Sequence, residues 1–384
     1  MDLKFGFCVQ GVGAVTPVGA TASQTWDELV RGTEAGRRLL PKGFGGRAYY
    51  YGAVPAKFTG AAGRQPRLRR SGTISLLGVT AGLAALTDAG IPLEEANRGA
   101  VVFAIACGGV DYTRRFYHEV LTEGANVASP LLFPETVYNA PASHLAALLK
   151  IDGRDYTLVG DSSVGLSALH FASQLLAIDP ALPFCVVVGV EEADWVLADG
   201  FATWRMASNQ SSFPVFGRRQ GTILAESAAA VVLGRSGSLH LAGTSGGLPF
   251  FSQKEAPAAL AEVVARVCDG RMPAGILSSA NGTFADRVEE AVLGPGFGPV
   301  PVYAHKAAIG DSLGASALLQ LVLAKFALEQ QKLPPTLHAG DRLPAVTREV
   351  TEIQGAEVLI TSVGFNHQVN AALVGRWGEA AKGR

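Results

Sequence analysis

The sequence contains one pattern twice: GDSSVGLSAL at residues 160–169 and GDSLGASAL at residues 310–318. The second copy lacks one residue, and each copy runs into a long apolar segment. We expect each copy to follow a strand and to open a helix, as in a fused duplication. The two helix N-termini would then face one central cleft, where their free N–H groups favour a developing negative charge. Chance similarity is the alternative, because Gly, Ser and Ala are abundant in this chain.

Strand-like and helix-like segments alternate on both sides of this pattern. Apolar runs predict strands at residues 5–15, 100–106, 184–190, 229–233, 239–243, 275–279, 300–305, 356–363 and 371–374. Helical spacing predicts a first helix that ends at Val30 and further helices at residues 71–86, 140–149, 162–178, 255–268, 285–292 and 312–330. Thr21 with Gln24 resembles a capping box for the first helix. The alternation predicts an α/β fold with a mainly parallel sheet.

Composition and charge exclude several classes of protein. The chain of 384 residues is 48% hydrophobic and only 17% charged, which argues against disorder and favours a large core or an apolar interface. Its net charge of −1 gives no general attraction to nucleic acid or to a membrane. No apolar run reaches the roughly 18 residues of a membrane helix. The first residues, Met1–Phe5, have no signal-peptide character, so we expect a cytoplasmic protein.

The sequence indicates neither a metal site nor a cofactor. The four cysteines lie far apart, and the seven histidines form no His-x-x-x-His pair, so a zinc site is not expected. Gly11-Val12-Gly13 follows a predicted strand, but Thr16 stands where the dinucleotide fingerprint has its third glycine. The sequence also lacks a Gly-x-x-x-x-Gly-Lys-Ser/Thr phosphate loop.

Several segments, in the same order, resemble the β-ketoacyl-acyl-carrier-protein synthases, a family of condensing enzymes. The matching segments are Gly11-x-Gly13-Ala14-Val15-Thr16-Pro17-x-Gly19, Trp26-x-x-Leu29-x-x-Gly32, Phe133-Pro134 with Asn139-Ala140-Pro141-Ala142, residues 221–233 with Glu226, Lys306 with Gly310 and Leu313-Gly314, and Gly364-Phe365. The resemblance implies an α/β thiolase fold, with duplicated βαβαβαββ halves in a five-layered α-β-α-β-α arrangement and a dimer. We place the two thiolase-like halves at residues 1–236 and 237–384.

The catalytic positions depart from the family pattern. Ser162 stands where the family's Thr-Ala-Cys-Ser motif has its nucleophilic cysteine. Asn281 and Asp311 stand where the family has two histidines, whereas Lys306 is retained. The family's Gly-Phe-Gly-Gly-Thr-Asn loop implies an oxyanion or gating role for Phe365 and His367, but here that loop is altered and has one extra residue.

These substitutions remove the chemistry of condensation. A serine hydroxyl is far less acidic than a thiol, whose ordinary pKa is about 8.5, and it needs an adjacent general base. An ionised Asp311 would repel the enolate oxygen that the family histidines stabilise. Two like charges about 4 Å apart cost about 4 kcal/mol at an effective dielectric constant of about 20. That energy corresponds to roughly a thousandfold in rate.

A subunit with this fold and without the triad resembles a chain length factor, the inactive partner of a ketosynthase in fatty acid or polyketide biosynthesis. The resemblance implies an intact β-ketoacyl synthase as partner in a heterodimer, or a second copy of this chain, together with an acyl carrier protein. It also implies that this subunit lines the acyl tunnel of its partner, with Tyr112, Phe116 and Phe133 as candidate wall residues. Ordinary core positions are the alternative for these aromatic residues.

Two other functions stay open at this point, and with them the question of whether the chain is an enzyme on its own. Ser162 can be the nucleophile of an acyltransferase or thioesterase, with His367 as its base. A distance of about 3 Å between these side chains would favour that hypothesis. The chain can also be a homodimeric acyl-binding protein without chemistry, which a stable homodimer that no synthase displaces would favour.

Overall fold

Strands and helices alternate along the chain, which the computed structural model describes over residues 6–41 and 46–376. Within these residues the strands are β1 (Cys8–Val15), β2 (Arg37–Leu39), β3 (Tyr50–Gly52), β4 (Ala100–Ile105), β5 (Asp155–Val159), β6 (Phe184–Glu191), β7 (Leu224–Ala225), β8 (Ser227–Gly234), β9 (Leu239–Thr244), β10 (Leu248–Pro249), β11 (Gly275–Leu277), β12 (Val302–Tyr303), β13 (Lys332–Leu333), β14 (Thr351–Glu352), β15 (Glu357–Val363) and β16 (Gln368–Arg376). The α-helices are α1 (Ala22–Val30), α2 (Gly60–Gly63), α3 (Thr73–Asp88), α4 (Val110–Glu123), α5 (Ala140–Leu149), α6 (Val164–Ile178), α7 (Trp195–Thr203), α8 (Ala256–Cys268), α9 (Phe284–Phe297), α10 (Lys306–Ile309) and α11 (Ser316–Gln330).

A large mixed sheet organises the described residues, with strand order β12-β11-β15-β16-β9-β1-β8-β6-β4-β5 and with β10 beside β16. Parallel pairs lie at its two ends, and antiparallel pairs fill the centre from β15 to β6. The prediction of a mainly parallel sheet is therefore wrong. One physical reason is the short turn of residues 364–367 between β15 and β16, because a parallel pair needs a crossover of about a dozen residues or more.

The helices form three layers around the two halves of this sheet. α3 and α5 pack on strands among β1, β4, β6 and β8, whereas α8 and α9 pack on strands among β9, β15 and β16. α6 and α11 lie in the middle, since they contact each other and each contacts strands of both groups. These are the α-β-α-β-α layers that the resemblance implied. The predicted boundary between residues 236 and 237 falls between β8 and β9 and stays a prediction.

The two copies of the repeated pattern open the two central helices, although their approaches differ. The first copy joins β5 directly to α6, as predicted. The second does not follow its strand directly, because β12 already ends at Tyr303 and α10 comes between. Sheet strands cover α6 and α11 on both sides, which explains why both helices are apolar over most of their surface. Within the described residues, no helix has the length and apolar character needed to cross a membrane.

Local signals in the sequence located most of the other elements. The Thr21 hydroxyl accepts a hydrogen bond from the Gln24 N–H at 3.1 Å, so the predicted cap of α1 is confirmed. The helix predicted at residues 140–149 is α5. Phe5, the first residue of the first predicted strand, lies outside the described residues. The sequence patterns missed α4, which has no buried residue and whose apolar side chains lie on the surface.

Candidate functional site

Ser162 lies between β5 and α6, at the start of a central helix. The Asp161 carbonyl accepts the Val164 N–H at 3.0 Å, and the Ser162 carbonyl accepts a hydrogen bond from Ser362 Oγ at 3.1 Å. The residue is buried, and no hydrogen bond reaches its hydroxyl from the part of the chain that the structure describes. The predicted nucleophile position is therefore well fixed, but nothing there activates the hydroxyl.

His367 does not provide a base for Ser162. It is exposed and has a backbone φ of 68°, in the left-handed region. Its ring packs 5.3 Å from the ring of Phe250, and its carbonyl accepts the Phe250 N–H at 2.9 Å. Across residues 6–41 and 46–376 no hydrogen bond joins His367 to Ser162. The serine–histidine arrangement that an acyltransferase or thioesterase would use is not formed in this structure.

The three other predicted site residues form one buried cluster around a carboxyl group, which we call the Asp311 cluster (Asn281, Lys306, Asp311 and Ser316). Lys306 Nζ lies 3.1 Å from Asp311 Oδ1, and both side chains are fully buried. Asn281 Nδ2 donates to Asp311 Oδ2 at 2.7 Å, and Ser316 Oγ donates to Asp311 Oδ1 at 3.0 Å. The retained lysine and the asparagine therefore both point at the aspartate that replaces a family histidine.

The electrostatics of the cluster favour an ionised Asp311. Burial by itself would raise the pKa of Asp311, but the Lys306 charge and the hydrogen bonds from Asn281 and Ser316 outweigh it and hold the pKa below its usual range. The Asp311 charge is thus compensated by Lys306. An enolate is therefore repelled less strongly than an uncompensated Asp311 would repel it, and the main loss is that the positive charge of Lys306 is neutralised by its own chain.

Arg37 positions the helix that carries Lys306, and the sequence patterns did not reveal it. Its side chain is buried and donates to the carbonyls of Ile309 at 2.5 Å, Ala307 at 3.1 Å and Ala308 at 3.2 Å. These contacts bind the C-terminal carbonyls of α10, which a helix leaves without intrahelical partners. Arg37 lies about 270 positions away in the sequence, so no local pattern could have identified it.

β15 connects Ser162 with the Asp311 cluster. Ser362, at its end, binds the Ser162 carbonyl, and the next residue, Val363, donates its N–H to Ser279 Oγ at 2.9 Å. Ser279 lies two positions before Asn281, whose Oδ1 accepts a hydrogen bond from Thr283 Oγ1 at 2.6 Å. The structure therefore brings the predicted catalytic positions into one buried region between the central helices and the second half of the sheet.

His305 lies next to Lys306 but does not replace the missing histidines. Burial, and secondly the neighbouring Lys306 charge, lower the pKa of His305 to about 3, so its imidazole is neutral at neutral pH. Neither ring nitrogen makes a hydrogen bond. His305 therefore supplies no positive charge at the cluster. Within the described residues, no group of His, Cys, Asp and Glu side chains is arranged to hold a metal ion.

The three candidate tunnel residues lie on the surface in and around α4. Phe116 and Phe133 pack together with ring centroids 5.7 Å apart, and Phe133 is 55% exposed. Tyr112 is half-buried, and its hydroxyl donates to the Arg70 carbonyl at 2.8 Å. Ordinary core positions are excluded for all three. They belong to an apolar surface that we call the α4 patch: Tyr112, Phe116, Tyr117, Leu121, Val127, Leu131 and Phe133.

A separate cavity of about 960 Å³ opens beside the Asp311 cluster. Arg47, Arg205 and Arg219 line it together with aromatic and amide side chains, so its walls are basic. None of the predicted site residues lines this cavity, but its wall residue Gly221 donates its N–H to the Gly282 carbonyl at 3.0 Å, directly after Asn281.

The family comparison agrees with the resemblance seen in the sequence. The model "Beta-ketoacyl synthase, N-terminal domain" matches residues 7–237, and "Beta-ketoacyl synthase, C-terminal domain" matches residues 280–340. The 3-oxoacyl-[acyl-carrier-protein] synthase 2 of Vibrio cholerae serotype O1 is 23% identical over 93% of this chain and 95% of its own length.

Solved structures show the same fold. A structure described as the ishigamide ketosynthase/chain length factor has a TM-score of 0.85 and 18% identity, over 98% of this chain and 100% of the other. A ketosynthase in complex with its chain length factor from Xenorhabdus doucetiae has a TM-score of 0.79 and 19% identity, over 97% and 98% of the two chains. The expected α/β thiolase-like ketosynthase fold is confirmed. At these identities the likeness extends to the fold alone.

Proposed function

Because the chain belongs to the β-ketoacyl synthase family, we propose that it is the non-condensing subunit of a ketosynthase heterodimer, a chain length factor that shapes the acyl tunnel of its partner. The observation that carries this proposal is the Asp311 cluster. Lys306 and Asn281 are bound to a carboxyl group that the chain itself supplies. The Asp311 carboxylate compensates the Lys306 charge, so this pair offers no net positive charge to a developing enolate.

The loss of these donors has a large expected cost. Enzymes stabilise an oxyanion with hydrogen-bond donors that are already in place, and removal of one donor lowers kcat by about a hundredfold to a thousandfold. Here the two family histidines are absent, and an enolate would compete with the Asp311 carboxylate for the Lys306 charge and for the Asn281 amide. The Ser162 hydroxyl adds a second loss, because it lacks the acidity of a thiol and no described side chain accepts a hydrogen bond from it as a base.

The α4 patch and the β5 edge support the proposed partner. Clustered apolar side chains at a surface, such as Phe116, Tyr117 and Phe133, mark contact sites in proteins. β5 ends the sheet, pairs with β4 on one side within the described residues, and carries Val159, which is 53% exposed. An intact β-ketoacyl synthase that covers this edge would bury both features and would place Phe116 and Phe133 at a wall of its own acyl tunnel.

The basic cavity supports an acyl carrier protein as the third component. Three arginines around one cavity attract an anionic group, and this attraction falls with ionic strength. We propose that a phosphate-bearing acyl carrier approaches the assembly at this face. Arg205→Glu is expected to slow product formation by the assembly, with the largest effect at low salt.

Co-expression with an intact Cys-His-His synthase from the same source tests the proposal. We expect the two chains to co-purify. After incubation with acyl- and malonyl-thioesters, intact-mass spectrometry should find acyl groups on the partner cysteine and none on Ser162. An acyl mass on the Ser162 peptide, lost in Ser162→Ala and in His367→Ala, would instead identify a serine acyl-enzyme. A homodimer that the synthase does not displace would favour an acyl-binding protein.

A further inference from the structure

A buried carboxyl group beside Ser162 is the starting observation. The family motif Thr-Ala-Cys-Ser has alanine at the position of Asp161, which here is buried. Asp161 Oδ1 accepts the Ser163 N–H at 2.9 Å and lies 2.7 Å from Ser163 Oγ. Asp161 Oδ2 accepts the Asn366 N–H at 3.0 Å, across 205 positions of sequence. One carboxyl group thus joins the start of α6 to the loop of residues 364–368, which we call the 364–368 loop.

The base of this loop is packed tightly against the same carboxyl group. A Cβ atom on Gly364 would lie 1.8 Å from Asp161 Oδ2, so only glycine fits at this close approach. The Gly364 N–H donates to the Gln368 carbonyl at 2.7 Å and closes the turn. Ser163 Oγ also lies 3.0 Å from Gln368 Oε1. Asp161 and Ser163 therefore contact the loop at its middle and at its end.

The outer side of the loop is held by aromatic contacts. The Phe365 ring packs edge-on against the Phe201 ring with centroids 5.3 Å apart. His367 packs on Phe250, and the chain adopts a left-handed φ at His367 although this residue has a side chain. Such a conformation persists only where its surroundings fix it. Asn366 and His367 stand where the family loop has two glycines, so this loop also has less backbone freedom than the family pattern.

We propose that Asp161 is a positioning residue that latches the 364–368 loop against residues 161–163 and so closes access to Ser162. The latch follows from the Asp161–Asn366 and Ser163–Gln368 contacts, which do not depend on any reaction. Its consequence, that acyl chains are kept out of this subunit and directed to the partner's tunnel, rests on the proposed function.

Alkylation of an introduced thiol tests the latch directly. In Ser162→Cys, the thiol reports access to the site through its rate of reaction with iodoacetamide, followed by mass spectrometry of the peptide with residue 162. We expect slow labelling in this variant and labelling about tenfold faster after the additional change Asp161→Ala, because a hydrogen bond that holds the loop is lost. Amide hydrogen exchange of residues 364–368 should rise in parallel.

Matched variants separate the latch from a general loss of structure. Asp152 is exposed on the connection before β5, so Asp152→Asn in the Ser162→Cys background should change neither rate. Asp161→Asn keeps one acceptor oxygen and should give an intermediate rate. Equal labelling and equal loop exchange with and without the Asp161→Ala change, in cooperatively unfolding proteins, would overturn the latch. Because the assay contains neither partner nor thioester, that result would leave the proposed function untouched.

Discussion

Asp311 decides what Lys306 can do, because a buried ammonium group needs a partner. Transfer of both charges from water to the protein interior costs free energy, and good geometry and additional hydrogen bonds are needed to offset that cost. The contacts from Asn281 and Ser316 supply such hydrogen bonds. At the residue scale, a buried ion pair without net charge stands where the family has catalytic hydrogen-bond donors.

Removal of the Asp311 charge should destabilise the fold. Asp311→Asn leaves the Lys306 ammonium buried without its counter-charge, and we expect a loss of about 3–5 kcal/mol in the free energy of unfolding at pH 7. The pKa of Asp311 is lowered in the folded state, so its stabilisation is present above the ordinary carboxyl pKa of about 3.9 and is lost as pH falls through the lower folded pKa. Urea unfolding should therefore show a constant deficit between about pH 7 and pH 5 that narrows only below about pH 4.

A double variant provides the control for this prediction. Lys306→Met with Asp311→Leu removes both charges, and apolar replacement of a buried ion pair is often close to neutral. We expect the double variant to be more stable than Asp311→Asn. A smaller loss for the single change than for the double one would contradict the role of the ion pair.

A thiol at residue 162 should not be enough to restore condensation. Ser162→Cys supplies a nucleophile, but the two family histidines are still absent and Asp311 still compensates the Lys306 charge, so the enolate remains poorly stabilised. We expect decarboxylation and condensation of malonyl-carrier protein at least about a hundredfold below an intact synthase, the usual effect of a lost oxyanion donor. Product formation near the level of an intact synthase would show that the cluster does not block the reaction.

At the scale of elements, α4 is unusual because it contributes no buried residue to its own chain. A helix of this kind is stabilised by tertiary contacts elsewhere or by a partner. Its aromatic side chains instead pack with those of the following loop, as Phe116 does with Phe133. A partner chain can therefore cover the α4 patch without any rearrangement of the core.

Smaller side chains in the α4 patch should lengthen the product. In the assembly with a synthase, Phe116→Ala or Phe133→Ala removes volume at the proposed tunnel wall, and chromatography of the products should shift toward longer chains. The stability of the isolated chain should change by no more than about 0.5 kcal/mol for Phe133→Ala, because this side chain is largely exposed. Phe251→Ala, at a side chain 83% exposed outside the patch, is the matched control. Unchanged products in both patch variants would argue against the assignment.

At the scale of the whole molecule, one end of the sheet is β5, which among the described residues pairs with β4 alone. Edge strands invite pairing with another chain unless they are protected. Here the edge lies beside α5, which packs on β5 and leads back in the chain to the α4 patch. An apolar surface and an open strand edge together favour association over a stable monomer.

Sedimentation velocity tests this view. We expect the isolated chain to associate at micromolar concentration and Val159→Lys to weaken that association by at least about tenfold, because a charge on an edge strand opposes pairing. Ile178→Lys, at an apolar side chain that is 81% exposed at the end of α6, should have no such effect. A well-behaved monomer before any change would contradict the prediction.

The sequence by itself determined the fold class and the departures at the catalytic positions. The repeated pattern, the apolar strands and the Thr21 cap depend on neighbouring residues, and local propensity and periodicity record them directly. Ser162, Asn281, Asp311 and Lys306 were recognisable because they stand in motifs with fixed spacing. The mixed sheet could not be recognised from the sequence, because strand order and direction depend on which distant segments pair.

Only the tertiary structure decided how those residues interact. The Lys306–Asp311 pair, the carbonyl contacts of Arg37 and the bond from Asn366 to Asp161 join residues from different elements, two of them across more than two hundred positions. Sequence reasoning could place a charge at Asp311 but could not show its compensation, because electrostatic energy depends on distance and burial in three dimensions. The sequence showed that Asp161 lies beside Ser162, but it could not show that Asp161 contacts the 364–368 loop.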